Sequence, residues 1–211
     1  MKFRHSTSGF TLIELIVGMT IFSIGLTGIY ALLQTTMSNV RYSRDEIVVS
    51  GLLREQVDLV MNMRDTNIKN FIPWDSVLVE SSSQTNFASG YYMIENNFTA
   101  TGITIDSSIG SITQNTIKLI KVDPFPTTES IKWEKTQLRI DTMGRYFHSE
   151  TTGTGTQFAS YIIVSPLGIN GTEVKKDGKN QGWIIDARVL VKANGSYREY
   201  DTKSMITDWI K

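Results

Sequence analysis

The chain has 211 residues, of which 40% are apolar and 20% are charged, so most of it should fold around a core. Its formal net charge is zero, and Lys2 and Arg4 are the only charged residues before Phe10, which leaves 19 basic and 21 acidic side chains in the rest. This balance gives none of the basic surface that proteins use to bind DNA through its phosphates.

The residue types also exclude several kinds of catalytic and metal site. The chain contains no cysteine, which rules out zinc–thiolate sites, iron–sulfur clusters, cysteine nucleophiles and disulfides. His5 and His148 are its two histidines, and His5 lies within the first nine residues. A multi-histidine metal site is therefore excluded, and a Ser-His-Asp triad would have to use His148. The expected role of His148 is a polar residue near the end of a strand.

Residues 10–33 form an apolar segment that is long enough to cross a membrane. They read FTLIELIVGMTIFSIGLTGIYALL and contain one charge, at Glu14. As a helix this segment would span roughly 36 Å, which exceeds the hydrocarbon core of about 30 Å. The basic stretch before it, MKFRHSTSG, should stay on the cytoplasmic side, although Arg41 and Arg44 reduce the charge asymmetry.

The small residues that a processing protease would recognise precede this segment instead of following it. A secretory signal ends its apolar region with a small-x-small site, and no such site occurs before the polar residues that begin at Gln34. Ser8-Gly9 stands directly before the apolar segment. Cleavage after Gly9 would therefore leave the apolar helix attached to the mature protein.

Glu14 is the residue of this segment that a simple anchor does not explain. A carboxylate in a membrane helix costs up to a few kcal/mol unless it is paired or protonated. Cleavage between Gly9 and Phe10 would create a free amine one helical turn before Glu14. In a bundle of such helices the Glu14 of one subunit would meet the amine of the next, so both charges would be paired only when the subunits have the correct stagger.

The sequence Gly9-Phe10-Thr11-Leu12-Ile13-Glu14, followed by an unbroken apolar helix, resembles the prepilin signature of type IV pilins and type II secretion pseudopilins. The resemblance covers residues 1–35, weakens towards residue 66 and does not extend by motif into the C-terminal two-thirds. It implies that a prepilin peptidase cuts after Gly9 and N-methylates Phe10. It also implies that Glu14 is the assembly carboxylate, and that Thr11 and Leu12 lie in the same filament seam.

One departure from the family concerns the flexibility of the helix. Many major pilins have a kinking proline in its later part, whereas the first proline of this chain is Pro73. Gly18, Gly25 and Gly28 are the nearest substitutes, since glycine disfavours a helix by about 1 kcal/mol relative to alanine. These glycines would permit local unwinding on assembly, or allow close helix packing in the membrane, or do both.

The amphipathic pattern after Gln34 predicts that the same helix continues to about Asn67. Apolar residues recur at helical spacing, on Val48, Leu52, Leu59 and Met63 and on the flanking Val49, Leu53, Val57 and Val60. A combined helix would be on the order of 85 Å long, which suits the spine of a filament. The alternative is a break near Gln34-Thr35-Thr36, with a signal anchor followed by a separate soluble helix.

The remaining residues predict strands and turns after a loop at Pro73 and Trp74. Candidate strands are Gly90–Glu95, Thr116–Val122, Ile131–Ile140, Phe158–Val164, Trp183–Lys192 and Tyr197–Met205. Asn194-Gly195 predicts a tight hairpin between the last two strands, and Asn170-Gly171 and Asp177-Gly178 are similar turn signals. Segments 80–89 and 149–157, rich in Ser, Thr and Gly, predict exposed loops.

These elements predict an α+β fold in which a long N-terminal helix packs on an antiparallel sheet, as in pilins. The expected regions are a leader peptide at 1–9, a transmembrane or filament-core helix at 10–33, its amphipathic continuation at 34–67 and an extracellular β-rich head at 68–211. Two or three strands are expected to cover the helix, with extra segments at 75–115 and 145–180 on the head.

No motif of an enzyme, metal site or cofactor site occurs in the sequence. The acidic residues lack the spacing of an EF-hand loop, and P-loop, H-E-x-x-H and G-x-S-x-G patterns are absent. Glycosylation sequons begin at Asn97, Asn170 and Asn194. Core or rim positions are expected for Trp74, Trp133, Trp183 and Trp209, although tryptophan rings also stack on sugars. The chain is therefore expected to be no enzyme and to need no cofactor or metal.

The favoured function is a minor subunit of a type IV pilus that serves adhesion, motility or DNA uptake, because the chain is larger than many major subunits. The expected partners are the prepilin peptidase, other pilin subunits, an inner-membrane assembly platform and, before assembly, the lipid bilayer. The protein would begin as a single-pass cytoplasmic-membrane protein with its N-terminus inside and end in an extracellular filament. The alternatives are a type II secretion pseudopilin, a signal-anchored surface adhesin and a DNA-uptake pilin; the charge opposes the last.

Overall fold

A computed structural model describes residues 11–69, 71, 73–78, 84–96, 105–106, 111–112, 117–149, 152–169, 172–173, 175–176, 179–193 and 195–207. Helix α1, Leu12–Lys69, runs without interruption for 58 residues. The alternative of a break near Gln34 is therefore wrong, and the hydroxyl groups of Thr35 and Thr36 hydrogen-bond to helix carbonyls one turn earlier. Between Ile47 and Val48 the chain divides into two units of dense internal contact.

In the second unit, α1 presents one face to the protein core. The buried residues of this face are Val49, Leu52, Gln56, Val60, Met63 and Asn67. Their spacing of three and four residues places them along one side of a helix. Of the predicted stripe, Leu52 and Met63 are buried, but Val48 and Leu59 are half-buried, and the residues that follow them, Val49 and Val60, are buried in their place. Two polar residues, Gln56 and Asn67, complete the buried face.

The strands that follow are antiparallel wherever they pair. In chain order they are β1 Ser76–Leu78, β2 Gln84–Asn86, β3 Gly90–Asn96, β4 Ile105–Asp106, β5 Ser111–Ile112, β6 Ile117–Lys121, β7 Gln137–Ile140, β8 Tyr146–His148, β9 Thr154–Pro166, β10 Gly168–Ile169, β11 Thr172–Glu173, β12 Lys175–Lys176, β13 Lys179–Asn180, β14 Gly182–Ala193 and β15 Ser196–Thr207. A second helix, α2, spans Glu129–Lys135.

The main sheet has more strands than the two or three expected. Its order is β15-β14-β9-β3-β6, with β7 also paired to β9 and β8 to β7. The first half of β9 pairs with β7, at Gln137 opposite Ala159, and its second half pairs with β3, at Tyr92 opposite Ile162. The 13-residue length of β9 therefore lets two strands share one of its edges. Strands β3, β8 and β9 thus belong to the sheet instead of lying outside it.

The face of the sheet that packs on α1 holds the core. Alternate residues of β14, such as Ile185, Ala187 and Val189, are almost fully buried. Ile185 and Ala187 lie in one cluster with Val60 and Met63 of α1. The long helix packed on an antiparallel sheet confirms the predicted α+β, pilin-like fold. The opposite face of the sheet carries a smaller apolar cluster around Tyr161 and Leu190.

One predicted strand is wrong in its first half. Residues 131–134 alternate apolar and polar side chains, but they lie in α2, and the strand begins only at Gln137. Glu129, Lys132, Glu134 and Lys135 favour a helix. Glu129 in the first turn and Lys132 and Lys135 in the last turn suit the helix dipole. The side chain of Trp133 packs on the cluster around Tyr161 from this helix.

The predicted turns and loops have mixed outcomes. The hairpin at Gly195 is confirmed, because Ala193 pairs with Ser196 and Gly195 has a φ of +80°. The predicted loop 149–157 is wrong at its end, since β9 begins at Thr154. The predicted loop 80–89 contains β2, and the side chain of Phe87 is buried against Trp183 at 6.2 Å between ring centroids.

Candidate functional site

The first turn of α1 brings together the sequence-predicted residues Thr11, Leu12 and Glu14. The backbone N–H of Glu14 donates to the Thr11 hydroxyl at 3.3 Å, and the N–H of Leu15 donates to the Thr11 carbonyl at 3.2 Å. Thr11 therefore acts as the N-cap of α1, and the spacing Thr11-x-x-Glu14 is that of a capping box. Gly9 and Phe10, the predicted cleavage and methylation residues, lie outside the described residues.

Glu14 occupies an exposed position in the first turn of the helix. A carboxylate there is stabilised by the partial positive charge of the helix N-terminus. The neighbouring Leu12 and Ile13 are about three-quarters exposed, at 75% and 74%. The start of α1 thus presents a negative charge beside exposed apolar side chains.

The apolar half of α1 has the composition of a membrane-crossing helix. It contains an 18-residue window that is apolar and long enough to span a bilayer, and no residue of that window is buried. The exposed side chains include Phe22, Ile24, Tyr30 and Leu32. Surfaces of this kind are covered in a working protein by lipid or by other protein chains.

The polar side chains of this half satisfy their donors within the helix. The hydroxyls of Thr20 and Thr27 each donate to the carbonyl four residues earlier, at 2.8 Å. The side-chain amide of Gln34 donates to the hydroxyl of Tyr30, also at 2.8 Å. An apolar medium penalises an unpaired donor by several kcal/mol, so these bonds allow the helix to lie in lipid or in a packed bundle.

Gly18, Gly25 and Gly28 are helical, with no sign of unwinding in this structure. A Cβ atom added at any of the three would meet nothing within 4 Å. Contacts within the chain therefore do not require glycine at these positions. Small residues on an exposed helix allow a second helix to approach closely. Close helix packing is one of the two roles, with local unwinding, that the sequence suggested for these glycines.

Residues 4–30 match a family model described as the prokaryotic N-terminal methylation motif. The chain carries the type IV pilin and pseudopilin signature. Every site residue predicted from the sequence, from Gly9 to Gly28, falls within the matched range. No curated protein and no solved structure matches the chain significantly. The methylation motif thus relates the N-terminal part of the chain to pilin-like proteins, and it does not extend into the head.

The head of this pilin-like chain contains one buried histidine. His148 ends β8, and its Nε2 lies 3.3 Å from the hydroxyl of Ser160. Burial lowers the pKa of the imidazole to about 4, although a hydrogen bond with the backbone of Gln137 acts in the opposite direction. His148 is therefore a neutral residue inside the head, which agrees with the polar strand-end role expected from the sequence.

A charged network lies on the opposite face of the sheet, and sequence reasoning missed it. Arg188 is 2.9 Å from a carboxylate oxygen of Asp186 and 3.1 Å from one of Glu199, and the hydroxyl of Tyr161 donates to Glu199 at 2.5 Å. Hydrogen bonding to Asp186 raises the pKa of Arg188. Burial alone would raise the pKa of Glu199, but the bonds from Tyr161 and Arg188 lower it. These residues lie on the neighbouring strands β9, β14 and β15, and the register of the strands brings them together.

The remaining sequence-predicted features of the head have structural positions or lie outside the described residues. Trp183 is buried in the core, Trp74 packs at its margin, and the indole N–H of Trp133 donates to the Gln157 carbonyl at 3.1 Å. Trp209, Asn97, Asn170 and Asn194 fall outside the described residues. Within the described ranges, no three His, Asp or Glu side chains group as metal ligands would.

Proposed function

We propose that this protein is a prepilin that becomes a minor subunit of a type IV pilus. A prepilin peptidase cuts it after Gly9 and N-methylates Phe10, and the mature chain joins a filament of pilin subunits. One observation carries the proposal. The methylation motif at residues 4–30 runs without a break into a helix whose later part packs on an antiparallel sheet. A retained apolar helix joined to a folded head is what a filament subunit requires.

The environment of α1 changes during this life cycle. The bilayer covers the apolar half of the helix first, with the N-terminus on the cytoplasmic side. An assembly platform in the inner membrane then moves the subunit into the filament, where other subunits replace the lipid. The internal hydrogen bonds of Thr20, Thr27 and Gln34 support this exchange, since none of them depends on the medium outside the helix.

Glu14 directs assembly in this proposal. In the filament its carboxylate pairs with the methylated amine of Phe10 on a neighbouring subunit, where the low dielectric strengthens the attraction. The Thr11 cap supports this role, because it stabilises the first helical turn, which carries Glu14. Leu12 contributes apolar contact in the same seam. An unpaired Glu14 would be costly there, so the pairing selects the stagger of the subunits.

We further propose that the head has a structural and binding role without catalysis. His148 is buried and neutral, and the carboxylates of Asp186 and Glu199 are held by Arg188. These arrangements stabilise the head, and Arg188 holds one oxygen of each carboxylate. The head therefore presents a surface to partners instead of a reactive centre.

The first experiment is intact-mass analysis of the protein recovered from sheared surface filaments and from membranes. A prepilin gives a mature chain that lacks residues 1–9 and carries one methyl group on Phe10. A full-length chain in both fractions would overturn the proposal in favour of an uncleaved anchor. A mature chain that stays entirely in the cell envelope would instead assign it to the pseudopilins.

The second experiment separates the charge of Glu14 from its position at the helix cap. Glu14→Gln keeps the side-chain shape of the capping box but removes the charge, and Thr11→Ala removes the cap but keeps the charge. We expect Glu14→Gln to be processed normally and to lower filament incorporation about tenfold or more, since losing one partner of a buried pair costs several kcal/mol. Thr11→Ala should lower it less, and Glu46→Gln, an exposed control on the same helix, should leave it unchanged. Equal losses from Glu14→Gln and Thr11→Ala would mean that Glu14 acts through the cap.

A further inference from the structure

The main sheet leaves a notch along one edge of β9. Up to Ala159 this edge pairs with β7, and from Ile162 onwards it pairs with β3. Ser160 lies between the two stretches, and its backbone N–H donates to the carbonyl of Thr136, just before β7, at 3.0 Å. Residues of β3, β7, β8 and β9 line a cleft at this notch, together with residues of α1.

The cleft is mostly apolar, and its polar residues lie at different depths. The surrounding side chains belong to Leu52, Leu59, Ile94, Leu138, Tyr146 and Phe147. Glu55 is exposed and lies on the solvent side, whereas Gln56 and Ser160 are only 6% and 5% exposed and lie deeper. A concave apolar surface with a few convergent polar groups is the usual composition of a binding site.

Gln56 is the residue of this cleft that the fold of the chain does not explain. Both polar atoms of its side chain are buried, and neither has a hydrogen-bond partner among the described residues. An amide in this condition lowers the stability of the chain, and a leucine of similar size would avoid that cost. Natural chains keep such unfavourable residues mainly at functional sites, so Gln56 points to a ligand that supplies the missing partner.

The charge of the cleft favours a cation. Glu55 is the one charged residue among the described residues that line it, and no ion pair holds this carboxylate within the described part of the chain. Burial on one side raises the pKa of Glu55, because the charged form has lost part of its water. His148, whose Nε2 lies 3.3 Å from the Ser160 hydroxyl, is neutral and brings no positive charge of its own. The carboxylate, the Gln56 carbonyl and the Ser160 hydroxyl are all acceptors for a cationic donor.

The size of the cleft distinguishes between cationic side chains. Its free volume is about 30 Å³, which is the share of one water molecule in the liquid. The compact ammonium group of a lysine fits this volume, whereas the planar guanidinium of an arginine is several times larger. The methylene stem of a lysine packs well on apolar surface, which Leu52, Leu59 and Phe147 provide.

We propose that this cleft binds the ammonium group of a lysine from a neighbouring filament subunit, with Glu55 on its solvent side and Gln56 and Ser160 at its inner end. The contact rests on the proposed function, because the filament brings a lysine of another subunit to the head. The neighbour is any pilin subunit that presents such a lysine, as a minor subunit requires. The contact is separate from the pair at Glu14.

The first test uses n-butylammonium chloride, which carries an ammonium group on a four-carbon stem as lysine does. The full chain in non-ionic detergent is unfolded with urea at pH 7 at increasing probe concentration, with n-butanol as the uncharged control. Butylammonium should raise the urea midpoint of the wild-type chain in a saturable way, and butanol should not. Glu55→Gln and Gln56→Leu should abolish this shift, whereas Asp58→Asn, at the exposed carboxylate paired with Arg54, should keep it. Equal shifts in the wild-type chain and Gln56→Leu would overturn the site.

The second test identifies the source of the ammonium group. A carbodiimide joins a carboxylate to an amine in direct contact and adds no spacer. Peptide mapping of treated filaments should find Glu55 linked to a lysine of another subunit. Glu55→Gln should lose this link, and Asp58→Asn should keep it. Butylammonium binding without a Glu55 link in filaments would overturn the lysine partner and assign the cleft to a free amine.

Gln56→Leu separates a binding role from a structural one. The variant should lower filament incorporation about tenfold, since it removes a hydrogen bond to a charged group, yet it should raise the stability of the purified chain. Losses of both incorporation and stability would make Gln56 a structural residue and overturn the site, as would normal incorporation. Absence of the wild-type chain from filaments would instead refute the proposed function, and the butylammonium titration of the purified chain would still decide whether the cleft binds an ammonium group.

Discussion

The buried histidine makes the stability of the head depend on pH in a range where few other groups titrate. Burial lowers the pKa of His148 from 6.5 to about 4 in the folded chain. A histidine with a depressed folded pKa contributes stability above its unfolded pKa, and this stability is lost as pH falls towards the folded pKa. The loss should therefore begin near pH 6.5 and be complete below pH 4.

The size of the effect follows from the two pKa values. A shift of one unit corresponds to about 1.4 kcal/mol, so the full loss is about 3 kcal/mol. Between pH 7 and pH 5 the unfolded histidine becomes almost fully protonated while the folded one stays neutral, which gives a loss of about 2 kcal/mol. The lowered pKa of Glu199 acts only below about pH 4.5, and the raised pKa of Glu55 adds stability as pH falls. Neither can produce a loss in this window.

The assay is urea unfolding of the full chain in non-ionic detergent at pH 7, 6 and 5, followed by tryptophan fluorescence, because Trp183 is buried in the head. His148→Gln removes the titration and should flatten the pH dependence, whatever its effect on stability at pH 7. His5→Gln, which alters the other histidine, should keep the wild-type slope. The reasoning is refuted if His148→Gln loses as much stability as the wild-type chain between pH 7 and pH 5.

Two further predictions concern polar groups in the head. Arg188→Met should lower the free energy of unfolding by about 2–3 kcal/mol, because it leaves the buried Asp186 without its main partner. In the same urea assay, Arg54→Met, at the exposed Arg54–Asp58 pair, should lower it by less than about 1 kcal/mol. Equal effects of the two would contradict the assigned role of Arg188. Gln56→Leu should raise the free energy of unfolding by about 1 kcal/mol, because neither polar atom of the Gln56 side chain has a partner among the described residues. A loss of stability in that variant would mean that the amide is satisfied in solution.

The sequence predicts the long helix and the last hairpin because both have strong local signals. The helical spacing of apolar residues from Val48 to Met63 predicts the helix, and Asn194-Gly195 predicts the turn between β14 and β15. The exact buried face was harder to predict, since Asn67 is buried by a tertiary contact, in which its side-chain amide donates to the Ser76 carbonyl at 2.6 Å. The spacing of apolar residues cannot predict that a polar residue is buried in this way.

The errors lie where local pattern and tertiary partners disagree. Four alternating residues around Trp133 fit a short strand or a short helix equally well, and a helix forms because its charged residues and the packing of Trp133 both favour it. The start of β9 resembles a loop in sequence because its residues are small, but β7 pairs with it, with Arg139 opposite Gly155 and Ile140 opposite Thr154. A pairing partner distant in sequence decides this second outcome.

The candidate site divides in the same way. The pairing of Thr11 with Glu14 could have been predicted, because a threonine followed three residues later by a glutamate is a recognised start of a helix. The charged network around Arg188 could not, because it depends on the register of β14 and β15, which is a property of the folded backbone.

The two parts of α1 use polar residues in opposite ways, and this difference suits the proposed passage of one helix from lipid into a filament. In the N-terminal part the hydroxyls of Thr20 and Thr27 bond to their own helix, so moving from lipid to protein neither breaks nor gains those bonds. Helix association in such a medium then depends on close packing and on the few charges that need a partner. In the proposed filament, Gly18, Gly25 and Gly28 would supply the first and Glu14 the second. In the C-terminal part the polar Asn67 bonds across to the head, which fixes the helix in the fold before any filament forms.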